Sequence, residues 1–270
     1  MKIADSDVVQ NNRTISYGAV SMIGDGHIRL PIGLQDASFC IDQDGVFVGV
    51  ICDGSSMAHG DFTQNQLGAI IGSEVIARYV HKNLRHRKRR RRSDFRSALN
   101  VASTKTFSFF RQFLTSLDTR RLEIDQHEFV RKKLLFTVIG VIVIESSYCI
   151  FGCGDGFWGK NTEIHEIEKR SSSMNFLQSV LTNEESKGLI IYKPDGKMRR
   201  NETLWIASDG LGELFRKEKG QAFFDTFLRD ERTCTWEDGD DKSILPFRVL
   251  LNRFSSRFSD DISIIAVKHK

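Results

Sequence analysis

The chain has 270 residues, 40% of them hydrophobic, and only three prolines, so it can bury a large core and contains no low-complexity linker; a single domain over residues 1–270 is expected. Its formal charge of +4 comes from one place, since Arg85, Arg87, Lys88 and Arg89–Arg92 supply seven cations and the remainder holds 32 basic against 35 acidic residues. Five scattered cysteines, at 40, 52, 149, 153 and 234, argue against a disulfide framework, and neither the polar stretch Met1–Arg13 nor the short apolar run Val138–Ile144 suits export or membrane insertion, so a cytoplasmic protein is expected.

Taken in order, the chain opens with a strand at Ile15–Met22 and a glycine-bearing loop to Leu34. Two strand-like runs, Ala37–Ile41 and Val46–Cys52, flank Asp44-Gly45, the signature of a type I′ hairpin turn. A helix is predicted over Phe62–Leu84, with Leu67, Ile70, Ile71, Val75 and Tyr79 at helical spacing. The basic run follows. It reads as a solvated loop between helices, because no aromatic residues interleave the arginines as nucleic-acid stacking requires, although an acidic partner would suit it. Ser93 then N-caps a second helix, on which Phe95, Leu99, Ala102, Phe109, Phe113 and Leu117 share a face.

The strands Phe136–Ile144 and Tyr148–Cys153 form a second predicted hairpin through Glu145-Ser146-Ser147. Beyond it the pattern is weak until Gly188–Tyr192 and strong again at Thr203–Ser208. Helical pieces are predicted within Leu211–Arg229 and over Ser243–Phe254, before a last strand at Ile262–Val267. Several strands are apolar on both faces yet come as hairpins, which favours antiparallel pairing. The predicted class is therefore α+β: two antiparallel sheets packed as a sandwich, with helices on both outer faces.

Asp-Gly occurs seven times, and most instances are expected to be turns; Asp25-Gly26, Asp195-Gly196 and Asp238-Gly239 lie in polar surroundings and read as loops. Asp53-Gly54 and Asp209-Gly210 differ, since each ends an apolar strand and is followed by small residues or a helix-like segment. Asp155-Gly156 closes a third such run, and Asp260-Asp261 opens the last strand. Carboxylates gathered at strand ends repel one another unless a cation sits among them, and hard divalent cations want carboxylate, carbonyl and water oxygens. Turn and helix-cap duty is the competing reading for each aspartate.

The ordered series Gln35-Asp36, Val50-Ile51-Cys52-Asp53-Gly54, Gly154-Asp155-Gly156, Ala207-Ser208-Asp209-Gly210 and Asp260-Asp261-Ile262-Ser263 resembles the metal-dependent protein phosphatase 2C family, in particular its divergent bacterial members. The resemblance runs from about residue 15 to the C-terminus. It implies hydrolysis of phosphoserine and phosphothreonine in protein substrates with two or three Mg²⁺ or Mn²⁺ ions, by a metal-bridging hydroxide attacking phosphorus in line. It further implies that Asp53 bridges two metals, that the Gly54 carbonyl binds one of them, that Asp209 and Asp260 hold the other, and that Asp155 serves a third ion. Asp53 and Asp209 would be the residues on which catalysis depends most.

Three positions depart from the family pattern. Ser55 stands where many relatives carry a histidine proposed as general acid, leaving that duty to water or His59. Gln35 replaces the first acidic ligand, so Asp36 is the carboxylate there, and Arg29, with His27 beside it, is the nearest candidate for the phosphate-binding arginine. Two other classes remain: a catalytically weakened phosphatase fold acting as a binding or sensing module, and a two-metal nuclease or phosphodiesterase, for which no histidine-carboxylate pattern is visible.

Overall fold

A computed structural model of the chain describes residues 15–30, 33–55, 65–85, 92–117, 125–167, 176–177, 188–216, 245–254 and 258–270. The predicted first strand forms as β1, Ile15–Met22, but the glycine-bearing segment after it is not all loop: Asp25-Gly26 opens a short helix, α1, Asp25–Arg29. Strands β2, Ala37–Gln43, and β3, Val46–Gly54, make the first hairpin, with φ of 55° at Asp44 and 70° at Gly45, the left-handed values a type I′ turn needs. The second hairpin joins β4, Phe136–Ile144, to β5, Ser147–Cys153, through Glu145 at φ 54°.

Between the hairpins stand α2, Gln66–Arg85, α3, Arg92–Ser116, and a helix the sequence reading missed, α4, Gln126–Lys133. Asp125 caps that last helix by accepting a hydrogen bond from the His127 backbone N–H at 2.8 Å, a signal visible in the sequence as an aspartate before a polar helical turn. The weak region after Asp155 contains β6, Gly156–Lys160, and β7, Glu163–Ile167. Then come β8, Ile190–Lys197, which takes up the presumed loop at Asp195-Gly196, and β9, Thr203–Ala207. A 3-10 turn at Asp209–Leu211, α5, Gly212–Arg216, α6, Leu245–Phe254, and β10, Ile262–His269, complete the described chain. His59, Asp238-Gly239, Cys234 and most of the basic run lie outside the described residues.

The strands make two five-stranded antiparallel sheets, ordered β2-β3-β4-β5-β8 and β1-β10-β9-β6-β7. Alternation along β3 explains the doubly apolar runs: Val46, Val48, Val50 and Cys52 face α2 and α3, while Phe47 and Ile51 face the opposite sheet. On β10, Ile264 and Ala266 face α6 through Phe247 and Leu251, while Ile265 and Val267 join the layer between the sheets. Burial of each such side chain contributes about 1.5–3 kcal/mol, and a one-residue slip would exchange all of them between layers, so the register is firmly set. The architecture is the predicted sandwich with helices on both outer faces.

The face that α2 buries is not the one its large residues mark. Leu67 and Ile70 are 39% and 48% exposed, Ile71 and Tyr79 are half-buried against the core, and the buried set is Gly68, Ala69, Gly72, Ser73, Ile76, Ala77, Val80, His81 and Leu84. A Cβ at Gly68 would lie 2.5 Å from the Leu134 carbonyl oxygen, and one at Gly72 would lie 2.4 Å from the Phe136 ring. The first half of the helix therefore runs so close to the sheet that small residues lie beneath it, while Leu67 and Ile70 turn outward and Ile71 packs at the flank. On α3 the buried face begins as predicted, at Phe95, Leu99 and Ala102, then centres on Phe107, Phe110 and Leu114, with the predicted Phe109, Phe113 and Leu117 half-buried against the same core.

Candidate active site

Antiparallel register carries the predicted acidic positions to one end of the sandwich. Asp53 is the penultimate residue of β3, opposite Thr137 on β4, and Asp36 directly precedes β2, whose Ala37 pairs with Cys52. On the other sheet, Asp209 follows β9 and Asp260 precedes β10, and these two strands are neighbours. Ser208 locks them together, its N–H donating to the Ser263 carbonyl at 3.0 Å and its Oγ accepting the Ser263 N–H at 2.9 Å.

The same hydroxyl donates to Asp36 Oδ2 at 2.7 Å and so ties one sheet's carboxylate to the other sheet's strand end. Asp36 in turn stands beside Asp53, and Asp53 beside Asp209, carboxyl against carboxyl. Asp260 is close enough to act electrostatically on both Asp36 and Asp53. Asp36 is buried, whereas Asp53, Asp209 and Asp260 keep partial solvent contact, so the cluster is reachable from outside.

Such crowding is electrostatically costly. Burial, and then the charge on Asp261 and Asp260, push the Asp36 carboxyl up to about 8 against the opposing effect of the Ser208 hydrogen bond. Surrounding protein drives Asp53 well above the usual carboxylate range despite its partial contact with solvent, and Asp36 and Asp209 reinforce the shift. Burial also raises Asp260 to about 6, with Asp209 adding to it. A site that holds its carboxylates against ionisation in this way favours a cation.

Orphaned acceptors point the same way: Oδ1 of Asp36 and Oδ1 of Asp209 are buried without a hydrogen-bond partner among the described residues. Among those residues no group of three or more His, Cys, Asp or Glu side chains stands in closed metal-holding geometry, and the carboxyls meet in pairs. The donor set, all hard oxygen with the Gly54 backbone alongside, fits Mg²⁺ or Mn²⁺ better than a softer ion. Gly54 has to be glycine, since a Cβ there would lie 2.9 Å from the Gln35 carbonyl oxygen and 3.0 Å from the Asn65 carbonyl carbon.

The remaining predicted residues fall elsewhere. Asp155 links β5 to β6 between Gly154 and Gly156, at φ of 119° and 135°, and register sets it at the same end of the sandwich. Arg29 is 77% exposed and pairs with Asp25, one helical turn earlier on α1, at 2.5 Å rather than with any clustered carboxylate. Sequence reasoning overlooked three residues that the fold brings in: Ser208, Asp261 and, as more than Arg29's neighbour, His27. His27 lies 2.9 Å from Asp261 and 3.6 Å from Asp260, and the close contact with Asp261 raises its pKa above the ordinary histidine value against the effect of burial.

No family model and no curated protein sequence matches the chain. Solved structures do. A serine/threonine phosphatase of S. agalactiae superposes with a TM-score of 0.58 at 16% identity, covering 95% of this chain and 100% of that one. PppA, a key regulatory component of T6SS in Pseudomonas aeruginosa, gives 0.56 at 14% identity, covering 98% and 100%. The catalytic domain of the serine threonine protein phosphatase PstP, in complex with two manganese ions, gives 0.54 at 12% identity, covering 95% and 98%. Identities this low speak to architecture, and in architecture the chain has the fold of bacterial PP2C-type serine/threonine phosphatases.

Proposed function

We propose that this chain is a Mg²⁺- or Mn²⁺-dependent phosphatase acting on phosphoserine and phosphothreonine in proteins, with residues 1–270 as one catalytic domain. The observation that carries the proposal is the convergence of Asp36, Asp53, Asp209 and Asp260 from four strand ends, two of them with buried, unpartnered oxygens. In this reading Asp53, the Gly54 carbonyl and Asp36 would hold one cation, Asp53 with Asp209 and Asp260 a second, and Asp155 would serve a third. When bound, such cations neutralise phosphoryl charge and lower the pKa of a coordinated water towards neutrality.

The chain's own residues support attack by water rather than by a protein nucleophile. Burial pushes the thiols of Cys40 and Cys149 up to about 12 and that of Cys153 to about 11, and Cys52, beside the site, is raised well above the normal range, so all four stay protonated and unreactive. The Ser208 hydroxyl is held by Asp36 and the Ser263 N–H. With Arg29 turned to Asp25, the reading leaves phosphate binding mainly to the cations and assigns Arg29 at most an outer role. The basic run Arg85–Arg92 is assigned to docking of acidic protein partners rather than to chemistry, and its length of like charge needs neither membrane nor nucleic acid.

Turnover of p-nitrophenyl phosphate and of a phosphothreonine peptide, in chelator and after addition of Mn²⁺ or Mg²⁺, tests the proposal. Hydrolysis that is absent in chelator and returns with metal is the expected result. Hydrolysis that persists after exhaustive chelation contradicts it, and metal binding without any hydrolysis would instead favour the binding-module reading that Ser55 and Gln35 suggest.

A further inference from the structure

Asp261 is the most enclosed carboxylate at this end of the molecule, 1% exposed, and it acts as a hub for two chain segments. Its Oδ1 accepts the Gly24 N–H at 2.8 Å, and its Oδ2 accepts the Gln35 N–H at 2.6 Å, so it fixes both the entry to α1 and the residue before Asp36. Oδ2 also lies 2.9 Å from His27 Nδ1. Nδ1 makes this ion-pair contact without the alignment of a hydrogen bond, and the other ring nitrogen, Nε2, lies 3.6 Å from Asp260 Oδ1.

The placement of α1 serves this contact. The helix has five residues and docks by glycine: a Cβ at Gly24 would lie 2.4 Å from the Asp260 carbonyl group, and one at Gly26 would lie 2.6 Å from the Ser259 carbonyl oxygen. Asp25 and Gly26 also donate backbone hydrogen bonds to the Phe258 and Ser259 carbonyls at 2.8 and 3.1 Å. On the opposite side Glu213 of α5 accepts the Ser259 N–H at 2.9 Å, together with the Ser259 hydroxyl. The segment carrying Asp260 is thus gripped from both sides. Asp260 Oδ1 receives the Asp261 N–H at 2.9 Å and faces His27, so both contacts fall on one oxygen and Oδ2 stays available among the described residues.

Building on the metal-site reading above, we propose that His27 is a positioning residue for that site: clamped by Asp261, it orients the Asp260 carboxylate so that its second oxygen is presented to a divalent cation. The competing role, a histidine that merely satisfies the buried Asp261, makes a different prediction because the two ring nitrogens can be replaced separately. Asparagine places a donor at about the reach of Nδ1, towards Asp261, and glutamine at about the reach of Nε2, towards Asp260.

The test measures Mn²⁺ binding to the full chain, by electron paramagnetic resonance of free Mn²⁺, with a thermal melt in chelator for each variant to report folding. Partners that orient a ligand are typically worth about 10- to 100-fold in metal affinity, so His27→Ala and His27→Asn are expected to lose about that much, and His27→Gln to recover most of it. Equal affinity in wild type and all three variants overturns the proposal, as does wild-type affinity in His27→Asn with weakened binding in His27→Gln. Wild type that binds no Mn²⁺ removes the metal-site reading itself, and the role of His27 with it, which sets that failure apart from the other two.

Discussion

The strand β3 is bracketed by the same dipeptide, and its two ends behave in opposite ways. Asp44-Gly45, before the strand, is exposed, takes left-handed backbone angles of 55° and 70°, and turns the chain into its antiparallel partner. Asp53-Gly54, at the far end, continues the strand to the edge of the sheet, where Asp53 meets the carboxyls of Asp36 and Asp209 and Gly54 lets the Gln35 carbonyl approach. Identical local chemistry serves a turn at one end and a charged cluster at the other. What separates them is what the second sheet brings up: Asp209, two residues past the end of β9, and Asp260, two before the start of β10, act on Asp53.

The comparison breaks most sharply at Asp209. Asp209→Asn keeps the shape of the side chain and removes its charge, and an amide is a far poorer ligand for a hard cation, so turnover of a phosphate ester is expected to fall by two orders of magnitude or more, about the 2.7 kcal/mol or greater that loss of one key electrostatic group typically costs. Kinetics on p-nitrophenyl phosphate at saturating Mn²⁺ measure this, and wild-type turnover would mean that the cluster is not the reaction centre.

A smaller effect separates the ends through pH. Asp36, raised to about 8 in the folded protein against about 4 when unfolded, binds its proton more tightly in the native state. Its contribution to stability is therefore full below about pH 4 and lost as pH rises towards 8. In chelator the melting temperature is expected to fall over that window by on the order of 5 °C, other groups being equal, and added Mn²⁺ is expected to reverse the trend near neutrality. A metal-free melting temperature that climbs steadily from pH 5 to 8 would show that the carboxylates are not crowded as described.

The turn end gives the smallest effect. Gly45→Ala forces a side chain into the left-handed region at φ 70°, which costs about 1 kcal/mol, or roughly 2–4 °C for a chain of this size. Phosphatase activity per folded molecule is expected to stay unchanged, and a loss of turnover in that variant would deny the separation between the two ends.

Much of this was legible in the sequence because strand ends are local signals. Apolar runs stopping at Asp53 and Asp209, and one starting after Asp260, marked the sheets and their shared edge before any topology was known. The hairpins were legible for the same reason, through Asp44-Gly45 and the three-residue link at Glu145. The face of α2 was not, because Gly68 and Gly72 are small to fit against Leu134 and Phe136, a constraint that belongs to tertiary packing and leaves no mark in helical periodicity. His27 was noticed only as the neighbour of Arg29, since the contact that matters joins residues 27 and 260–261 across β1 and β10. Ser208 reads as the last residue of a strand in the sequence, and its bonds to Asp36 and Ser263 belong to the tertiary fold.

On the proposed reading Asp53 is there for a cation and not for the fold. Thermal melting of wild type and Asp53→Ala, each in chelator and with Mn²⁺, addresses it directly. Removing one of several mutually repelling carboxyls relieves the metal-free protein, so Asp53→Ala is expected to melt in chelator at or above the wild-type temperature, while only wild type gains substantially from Mn²⁺. A variant that is insoluble or melts well below wild type in chelator would make Asp53 a structural residue, and an equal gain from Mn²⁺ in both proteins would put the cation elsewhere.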